Sequence, residues 1–558
     1  MEEGSVANVG EYFRQHLATP DKVLYRHAED DVWRDVSVAQ IAALISRWQA
    51  GLKGLGLAQG DRVAVCLKNG INWAAADLAA LGMGLVVVPL YVEDNPDNAA
   101  WCVDNAQAKL LVVESTRMAK ALRDSKFSLP PMYILRPDAG DEAASVERLL
   151  SQGGGAPEFR DLDRDALATI CYTSGTSGRP KGVMLSHGNI IANVTSCQEC
   201  RMARPVDLFL SVLPLSHMFE RTGGYYLPLS LGAKVVYARS VAQLAEDLAS
   251  QGPTVMFAVP RIFEKFKMRI DQTLAASSIK GWLFTQCSER GWRLESGKGS
   301  VLDRLLTPFL RALVAKPILA RLGGRMRLTV VGGAALDPDI AHTFIGLGLP
   351  MLQGYGMTEA SPVISVNRDD DNVPESVGPP LPGIEVKLAD NGELCARGGN
   401  VMLGYWRNEE ATRAAIDPDR YLHTGDLAEI KDGKIFIRGR AKDIFVMSNG
   451  EKLPPQDVEF AILHDPTFEQ VMLLGDGEPY VALLAVTQEK DERELVRRAN
   501  AQLKAFPRWV RVRHVIATNE QWTVDNGLLT PTLKLKRPIL FKRYADRIAA
   551  AYKEPPVE

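Results

Sequence analysis

The chain has 558 residues, of which 46% are hydrophobic and 24% charged, and this excludes a wholly disordered or fibrous protein and predicts roughly three or four domains. Lys and Arg number 65 against 68 Asp and Glu, so no overall positive charge is present to attract nucleic acid. Seven cysteines are few for this length and odd in number, as is typical of proteins from a reducing compartment.

No segment has the pattern of a targeting or membrane-spanning sequence. The N-terminus is acidic and then polar, unlike a secretory or mitochondrial signal. The most apolar uncharged run, 78–92, has 15 residues and contains Pro89, whereas a spanning helix needs roughly 20 residues. We therefore predict a cytoplasmic protein without a transmembrane segment, and we leave peripheral membrane contact open.

Helix-like and strand-like segments alternate from about residue 35 to residue 240. Ser37 is a candidate N-cap for an amphipathic helix over 38–52, and a second helix is predicted over 73–81. Short apolar runs predict buried strands at 62–67, 85–89, 110–113, 168–172, 234–237 and 328–331. This alternation predicts βαβ units, a mainly parallel sheet and an α/β fold, with a charged helical segment over 261–325.

The pattern changes beyond about residue 376. Gly-rich segments of alternating polarity at 383–388 and 433–438 are typical of hairpins and predict a β-rich subdomain over 376–438. We place the last domain boundary in the charged segment 439–443. The N-terminal domain would then span 1–438, and a smaller α+β domain would span 444–558.

The strongest chemical signal is the segment 172–182, Tyr-Thr-Ser-Gly-Thr-Ser-Gly-Arg-Pro-Lys-Gly, between two predicted strands. Its glycines, four hydroxyl residues and one lysine supply the backbone N–H groups, hydroxyl donors and positive charge that a triphosphate requires. A flexible linker would not need this polar chemistry between buried strands. The segment is not a P-loop, because no Gly-Lys-Ser or Gly-Lys-Thr follows at the required spacing.

Further motifs follow the phosphate-binding candidate in chain order. They are Pro-Leu-Ser-His at 214–217, Gly-Gly-Ala-Ala at 332–335, Gly-Tyr-Gly-Met-Thr-Glu at 354–359, Tyr-Leu-His-Thr-Gly-Asp at 421–426, Gly-Arg-Ala-Lys-Asp at 439–443, and Lys534. Over almost the whole chain this series resembles the adenylate-forming superfamily of acyl-CoA synthetases, adenylation domains and luciferase. The resemblance implies a large N-terminal domain, a hinge at 439–443 and a mobile C-terminal domain.

The resemblance also assigns the nucleotide contacts. It implies that ATP and Mg²⁺ are bound by Thr173, Ser174, Gly175, Thr176, Ser177, Gly178, Lys181, Gly333, Ala334, Ala335, Tyr355, Gly356, Thr358, Asp426 and Arg440. Within this set, Thr176 would hold the metal ion together with Glu359, since a hydroxyl and a carboxylate are suitable hard ligands. Asp426, predicted in a short exposed polar turn after a strand, would accept hydrogen bonds from the ribose hydroxyls.

The remaining implied roles concern the acid and the thiol. His217 would lie beside the acyl carboxylate, and Lys534 would stabilise the charge that develops during attack on the α-phosphate. The spacing before the final basic residues departs from the family pattern by one residue, so Lys536 stays an alternative. Lys442 occupies the hinge position. Ser448 and Gly450 belong to a Ser-Asn-Gly segment that resembles the part of the family that approaches coenzyme A.

Three segments resemble the long-chain fatty acyl-CoA synthetase branch, namely 217–221, 259–265 and 527–537. The implied function is that of an ATP-dependent acid:CoA ligase that takes a fatty acid or another carboxylic acid. Two alternatives stay open: an acyl-AMP ligase that loads a carrier protein, and a non-catalytic nucleotide-binding regulator on the same fold. A homodimer also stays open.

Overall fold

A computed structural model of the chain describes residues 6–150, 153–173, 179–275, 277–441, 444–448, 451–504, 506–507, 509–523, 526–529 and 535–553. These residues form 24 strands, which in chain order are β1 Val23–Glu29, β2 Val32–Ser37, β3 Arg62–Cys66, β4 Val86–Pro89, β5 Leu110–Ser115, β6 Met132–Arg136, β7 Leu167–Thr173, β8 Lys181–Ser186, β9 Leu208–Ser211, β10 Lys234–Tyr237, β11 Val255–Ala258, β12 Leu328–Val331, β13 Met351–Gly356, β14 Val363–Val366, β15 Ile384–Leu388, β16 Glu393–Gly398, β17 Gly404–Tyr405, β18 Leu422–Lys431, β19 Lys434–Arg440, β20 Phe445–Val446, β21 Lys452–Leu453, β22 Gln470–Leu474, β23 Val481–Val486 and β24 Val512–Thr518.

The described residues also form 20 α-helices, which in chain order are α1 Glu11–Arg14, α2 Val38–Gly54, α3 Ile71–Gly82, α4 Pro96–Asn105, α5 Thr116–Arg123, α6 Val146–Leu150, α7 His187–Glu199, α8 Met218–Glu220, α9 Leu227–Leu231, α10 Leu244–Gln251, α11 Pro260–Leu274, α12 Ser278–Glu295, α13 Val301–Leu310, α14 Lys316–Ala320, α15 Pro338–Leu347, α16 Glu409–Ala415, α17 Pro455–Ile462, α18 Glu492–Gln502, α19 Arg537–Arg543 and α20 Ala545–Ala551. Two short 3₁₀ turns, Glu142–Ala144 and Thr358–Ala360, and two π-helical turns, Arg221–Tyr226 and Arg311–Ala315, complete the set.

Two large sheets form the body of the N-terminal domain. One has the strand order β14-β13-β12-β11-β9-β10-β1-β2, and the other has the order β17-β8-β7-β4-β3-β5-β6. In both, the central strands are parallel and the outer pairs β13–β14, β1–β2, β7–β8 and β8–β17 are antiparallel. The sequence predicted one mainly parallel sheet. The chain forms two, because an apolar run indicates a buried strand but does not indicate which distant strand pairs with it.

The remaining sheets are smaller. Strands β15-β16-β18-β19 form an antiparallel sheet, which is the β-rich region that the alternating segments predicted. Beyond residue 444, strands β22-β23-β24 form a three-stranded sheet with a separate apolar core on each face. The architecture confirms the predicted α/β class with a smaller C-terminal α+β domain. The exact domain limits stay predictions.

Local sequence signals explain where individual elements begin. Helix α2 starts at a capping box in which the Ser37 hydroxyl accepts from the backbone N–H of Gln40 and the Gln40 side chain accepts from the Ser37 N–H. Strand β12 coincides with the predicted 328–331, where continuous apolar residues suit a strand that is buried on both faces. The segment 261–325 is helical as predicted, and it contains α11 to α14.

Candidate active site

Several of the predicted motifs meet at one edge of the larger sheet. Strands β12 and β13 are parallel neighbours, and the small-residue motif at 332–335 follows β12 directly. Thr358 and Glu359 follow β13 in a short 3₁₀ turn. Because the carboxyl ends of parallel strands lie at the same edge, these two motifs are brought together where ligands bind in open α/β sheets.

The small residues after β12 leave this edge open. Gly333 has a φ of +80°, which favours glycine, and Ala334 and Ala335 beside it are exposed. At Gly356 a Cβ atom would lie 1.9 Å from the carbonyl oxygen of Pro362, so a side chain there would clash with the backbone. Gly333 therefore leaves room for close approach at the site predicted for adenine, whereas Gly356 permits the backbone at Pro362 to pack against β13.

Asp426 is the centre of a buried polar cluster. Its Oδ2 accepts a hydrogen bond of 2.5 Å from the Tyr355 hydroxyl, and its Oδ1 accepts one of 3.2 Å from Nε of Arg440. Strands β18 and β19 place Asp426 directly opposite Arg440. Burial and the Asp426 carboxylate raise the pKa of the Tyr355 phenol well above its usual value, so the hydroxyl stays a donor.

The prediction that Asp426 lies in an exposed turn is wrong. The residue lies within β18 and is 6% exposed. Gly425, which precedes it, adopts a positive φ of +75°. This glycine lies inside a strand whose pairing with β16 continues on both sides of it, and pairing with β19 begins at Asp426.

A second cluster surrounds Glu359, which is also buried. Its Oε1 accepts a hydrogen bond of 2.8 Å from the Tyr405 hydroxyl. The Nζ atom of Lys181 lies 4.9 Å from the centre of the Tyr405 ring. Sequence reasoning missed Tyr405; the available signal was an aromatic pair, Tyr405 and Trp406, directly after a glycine.

The phosphate-binding candidate forms the connection of a hairpin. Strands β7 and β8 are antiparallel, and Thr173 lies opposite Lys181 at the open end of the pair. Five of the predicted contact residues, Ser174, Gly175, Thr176, Ser177 and Gly178, lie outside the described residues. The flanking Thr173 and Lys181 place the ends of this connection beside the Glu359 cluster.

His217 begins a helical segment next to the same edge. Its Nδ1 accepts a hydrogen bond of 3.2 Å from the backbone N–H of Phe219, so the imidazole caps α8. A Cβ atom at Gly332 would lie 3.1 Å from the Phe219 ring, which shows how closely this segment approaches the end of β12. The structure thus brings His217 near the predicted adenine motif.

Arg221, four residues after His217, belongs to a buried ion pair. The Arg221 guanidinium pairs with the Asp77 carboxylate of α3, donates 2.9 Å to the Thr169 hydroxyl, and lies 5.2 Å from the Trp73 ring. Both members of the ion pair are fully buried, and the π-helical turn 221–226 is buried along its length. Sequence reasoning did not find the pair, because its members are 144 residues apart.

Glu220 is buried beside this pair. Burial raises the pKa of its carboxyl group to about 8, against the opposing effect of the Ser211 hydroxyl and nearby backbone N–H groups. The carboxyl group is therefore neutral at pH 7 in the folded protein, whereas it is ionised in the unfolded chain.

Glu220→Gln should change how stability depends on pH. Between about pH 5 and pH 8 the folded wild type keeps a proton on Glu220 that the unfolded chain releases. The free energy of unfolding of the wild type therefore falls as the pH rises, by up to about 1.4 kcal/mol per pH unit. The variant lacks this proton, so its stability relative to wild type should increase as the pH rises. Urea unfolding at several pH values measures this, with the exposed Glu289→Gln as the control. Equal pH slopes in wild type and Glu220→Gln would contradict the prediction.

The C-terminal domain contributes less to the described site. Ser448 is exposed after β20, and its backbone N–H donates 3.1 Å to the Glu478 carbonyl. Lys442, Gly450 and Lys534 lie outside the described residues. Strand β19 extends to Arg440 and so includes the first two residues of the predicted hinge segment, whose role stays a prediction.

A direct contact joins the two domains near α15. Nε2 of His464, in the C-terminal domain, lies 2.7 Å from Oδ2 of Asp337, the N-cap residue of α15. The Asp337 carboxylate raises the pKa of His464 above its usual value, which favours the charged form of this pair.

Two further findings concern metals and membranes. Among the described residues, no three His, Cys, Asp or Glu side chains group closely enough to hold a metal ion by themselves. In the same part of the chain, every helix is too short or too polar to cross a lipid bilayer.

Two protein-family models match the chain. The model described as "AMP-binding enzyme" matches residues 12–406, and the model described as "AMP-binding enzyme C-terminal domain" matches residues 442–555. Since the first match alone covers more than half of the chain, the protein belongs to the adenylate-forming family of AMP-binding enzymes. This confirms the resemblance inferred from the motifs.

Individual relatives agree with this assignment. The chain is 31% identical to the long-chain-fatty-acid–CoA ligase FadD15 of Mycobacterium bovis, over 97% of this chain and 96% of the relative. It is 32% identical to the peroxisomal long chain acyl-CoA synthetase 7 of Arabidopsis thaliana, over 90% and 80% of the two chains. The ATP-bound structure of MatB from Rhodopseudomonas palustris shares the fold, with a TM-score of 0.75 at 24% identity over 97% and 99% of the chains.

Proposed function

We propose that this enzyme is an ATP-dependent acid:CoA ligase that acts on long-chain fatty acids. The names of the relatives at about 31% identity over nearly the full chain support the substrate class. Two series of contacts carry the proposal, one from Lys181 through Tyr405 to Glu359 and one from Tyr355 through Asp426 to Arg440. They meet at β13 and the turn that follows it, which hold Tyr355 and Glu359.

The proposed reaction has two steps. A carboxylate oxygen of the acid attacks the α-phosphorus of ATP, the α–β phosphoanhydride bond breaks, and pyrophosphate leaves. The coenzyme A thiol then loses its proton and attacks the acyl carbonyl of the acyl-adenylate, and AMP leaves. The first step brings two anions together, so it requires cations and oriented donors at the phosphates.

The described residues fit the nucleotide part of this reaction. Asp426 would accept hydrogen bonds from the ribose hydroxyls, with Arg440 beside it. Gly333 and Tyr355 would line the adenine pocket. Lys181 and the loop from Thr173 onward would face the triphosphate.

Magnesium fits the same cluster. The Tyr405 hydroxyl holds Glu359 by one oxygen, and the carboxylate keeps lone pairs for a hard cation. Thr176 and Glu359 would hold Mg²⁺, which would supply positive charge against the phosphate oxygens.

The remaining roles come from the sequence motifs. His217 would lie beside the acyl carboxylate and Lys534 would act in adenylate formation. The C-terminal domain would then turn about the hinge at Lys442 and bring Ser448 and Gly450 toward coenzyme A. A cytoplasmic location stays a prediction, and the Arabidopsis relative quoted above is named as peroxisomal.

Pyrophosphate release tests the proposed function. Purified enzyme, ATP and Mg²⁺ should release pyrophosphate only when a fatty acid is added, with the largest rate for long chains and with acyl-CoA formed when coenzyme A is present. A carrier-protein ligase would form acyl-adenylate but no acyl-CoA. A non-catalytic regulator would release no pyrophosphate with any acid.

Asp426→Asn should weaken ATP use strongly. The substitution keeps the shape of the side chain but removes the charge that Arg440 and the ribose hydroxyls would share, and loss of a charged hydrogen bond costs about 1.5–3 kcal/mol. We expect the KM for ATP to rise by roughly tenfold or more. The control is Glu429→Gln, on the same strand but paired with exposed Arg438. An unchanged KM in a folded Asp426→Asn would contradict the nucleotide assignment.

A further inference from the structure

A face of exposed apolar side chains lies on the helical segment that precedes β12 and the predicted adenine motif in the chain. On α13, Val301 is 74% exposed, Leu305 71% and Phe309 68%. Leu302 and Leu313 are also more than half exposed. Monomeric soluble proteins rarely expose many large apolar residues together, so this face indicates an interaction surface.

The face is defined by helix geometry. Residues 301, 305, 309 and 313 recur every four positions and therefore form one stripe along α13 and the π-helical turn that continues it. Asp303, Thr307 and Leu310 are buried on the opposite side of the helix. The helix is thus already packed by its other face, and the stripe is left toward solvent.

The neighbouring helices α11 and α12 also expose large apolar side chains. Met268 on α11 and Ile279 and Trp282 on α12 are exposed, and α12 packs against both α11 and α13. Of the 20 large hydrophobic residues that are exposed in the described part of the chain, nine lie between residues 268 and 313. We call the exposed apolar residues of α12 and α13 the hairpin face.

The segment that carries the hairpin face is strongly basic. Residues 261–325 contain 13 Lys and Arg but five Asp and Glu, a net charge of +8, whereas the whole chain carries −3. Acidic side chains of the segment form ion pairs with its own basic residues: Asp303 pairs with Arg290 and Arg293, and Glu295 pairs with Arg311. The excess charge therefore belongs to cations that have no acidic neighbour in the segment.

Four of those cations lie at the hairpin itself. Lys280, Lys298, Arg304 and Lys316 are exposed, and within the described ranges none of them forms an ion pair. Lys280 lies on α12, Arg304 on α13 and Lys298 in the connection between these helices, and Lys316 begins α14 directly after the π-helical turn. Exposed apolar and aromatic residues bordered by free cations are typical of elements that lie on an anionic lipid surface.

We propose that the hairpin face of α12 and α13 docks on the surface of a bilayer that contains anionic lipid. Val301, Leu305 and Phe309 would enter the boundary between headgroups and acyl chains, Trp282 would lie at headgroup depth, and the cations would contact lipid phosphates. A second copy of the chain is a poorer occupant, because two segments of net charge +8 repel each other. The inference does not depend on the activity proposed above.

Vesicle sedimentation tests the proposal with the full-length protein. Wild type should sediment with vesicles of phosphatidylcholine and phosphatidylglycerol at low salt, and much less with phosphatidylcholine alone or at high salt. The double variant Leu305→Glu, Phe309→Glu should bind the anionic vesicles at least about tenfold more weakly, because two large apolar side chains no longer leave water. The matched control, Val206→Glu with Phe541→Glu, changes two exposed apolar residues elsewhere and should bind as wild type does.

Charge variants test the second half of the proposal. Arg304→Gln with Lys316→Gln should weaken binding to anionic vesicles by up to about thirtyfold and reduce its dependence on salt, since each basic residue near the surface contributes about 1 kcal/mol, or about fivefold. Lys120→Gln with Arg123→Gln, two exposed cations on α5, should have no such effect. Circular dichroism and pyrophosphate release with a water-soluble short acid show that each variant is folded and active at wild-type level.

Three results would overturn the proposal. They are equal binding of wild type and the Leu305→Glu, Phe309→Glu variant, equal binding of neutral and anionic vesicles, and a dimer of the wild type in solution that the double variant dissociates. The last result would assign the hairpin face to contact between copies of the chain.

Discussion

Lys534→Ala should lose acyl-adenylate formation by a factor of about 10² or more, the scale of one lost preorganised electrostatic contact. The residue follows the Thr-Pro-Thr-Leu segment at 530–533 and lies outside the described residues, so the expectation rests on the sequence motif. Thioester formation from supplied acyl-adenylate and coenzyme A should persist, because Lys534 would then have turned away from the cleft. Separate assays of the two half-reactions measure both effects.

Lys536→Ala is the matched control for Lys534→Ala. Lys536 immediately precedes α19, and its backbone N–H donates 3.0 Å to the Leu528 carbonyl. Burial raises the pKa of Asp94 in the N-terminal domain, and the charge of Lys536 is close enough to oppose this shift. We therefore expect Lys536 to contribute to domain contact, and its replacement to leave adenylate formation within a few-fold of wild type.

The pair of variants separates three outcomes. Loss of the first half-reaction alone in Lys534→Ala supports the proposed role and the turning of the C-terminal domain. Equal loss of both half-reactions would count against domain alternation. Normal adenylate formation in Lys534→Ala, together with its loss in Lys536→Ala, would move the catalytic role to Lys536.

The second large effect concerns stability. Asp77→Ala should destabilise the N-terminal domain by about 3–5 kcal/mol, because it leaves the fully buried Arg221 without its counter-ion. The Tyr226 hydroxyl, which donates 3.0 Å to Asp77, would also lose its acceptor. Urea unfolding followed by tryptophan fluorescence measures the loss, and Trp73, which lies 5.2 Å from Arg221, is one of the nine tryptophans that contribute to the signal.

An exposed ion pair provides the control for Asp77→Ala. Asp35 pairs with Arg26 and Lys234 at the surface, and Asp35→Ala should cost less than about 1 kcal/mol. The double variant Asp77→Leu, Arg221→Met should recover much of the stability, because apolar residues of similar size can replace a buried pair. If Asp77→Ala were no less stable than Asp35→Ala, the buried pair would not have the structural importance inferred here.

The sequence by itself determined the family and most of the local structure. Motifs such as 172–182 and 354–359 are contiguous, so their residue types are readable without knowing any neighbour in space. Helix α2 and strand β12 followed from a cap and from an apolar run, and both signals act within a few residues. The proposed catalytic role of Lys534 also rests on the sequence alone.

Tertiary structure decided the partners and the burial. Tyr405 and Glu359 are 46 residues apart in the sequence, and Arg221 and Asp77 are 144 apart. No local sequence pattern predicts either contact. Asp426 was predicted in an exposed turn and is buried, because β18 pairs with β16 on both sides of Gly425 and with β19 from Asp426 onward. The hairpin face was likewise not predicted from the charged helical segment, because only the tertiary structure shows which side of α13 packs against the core. The contribution of a charged or apolar side chain to stability depends on the residues that surround it in space, and these are brought together only when the chain folds.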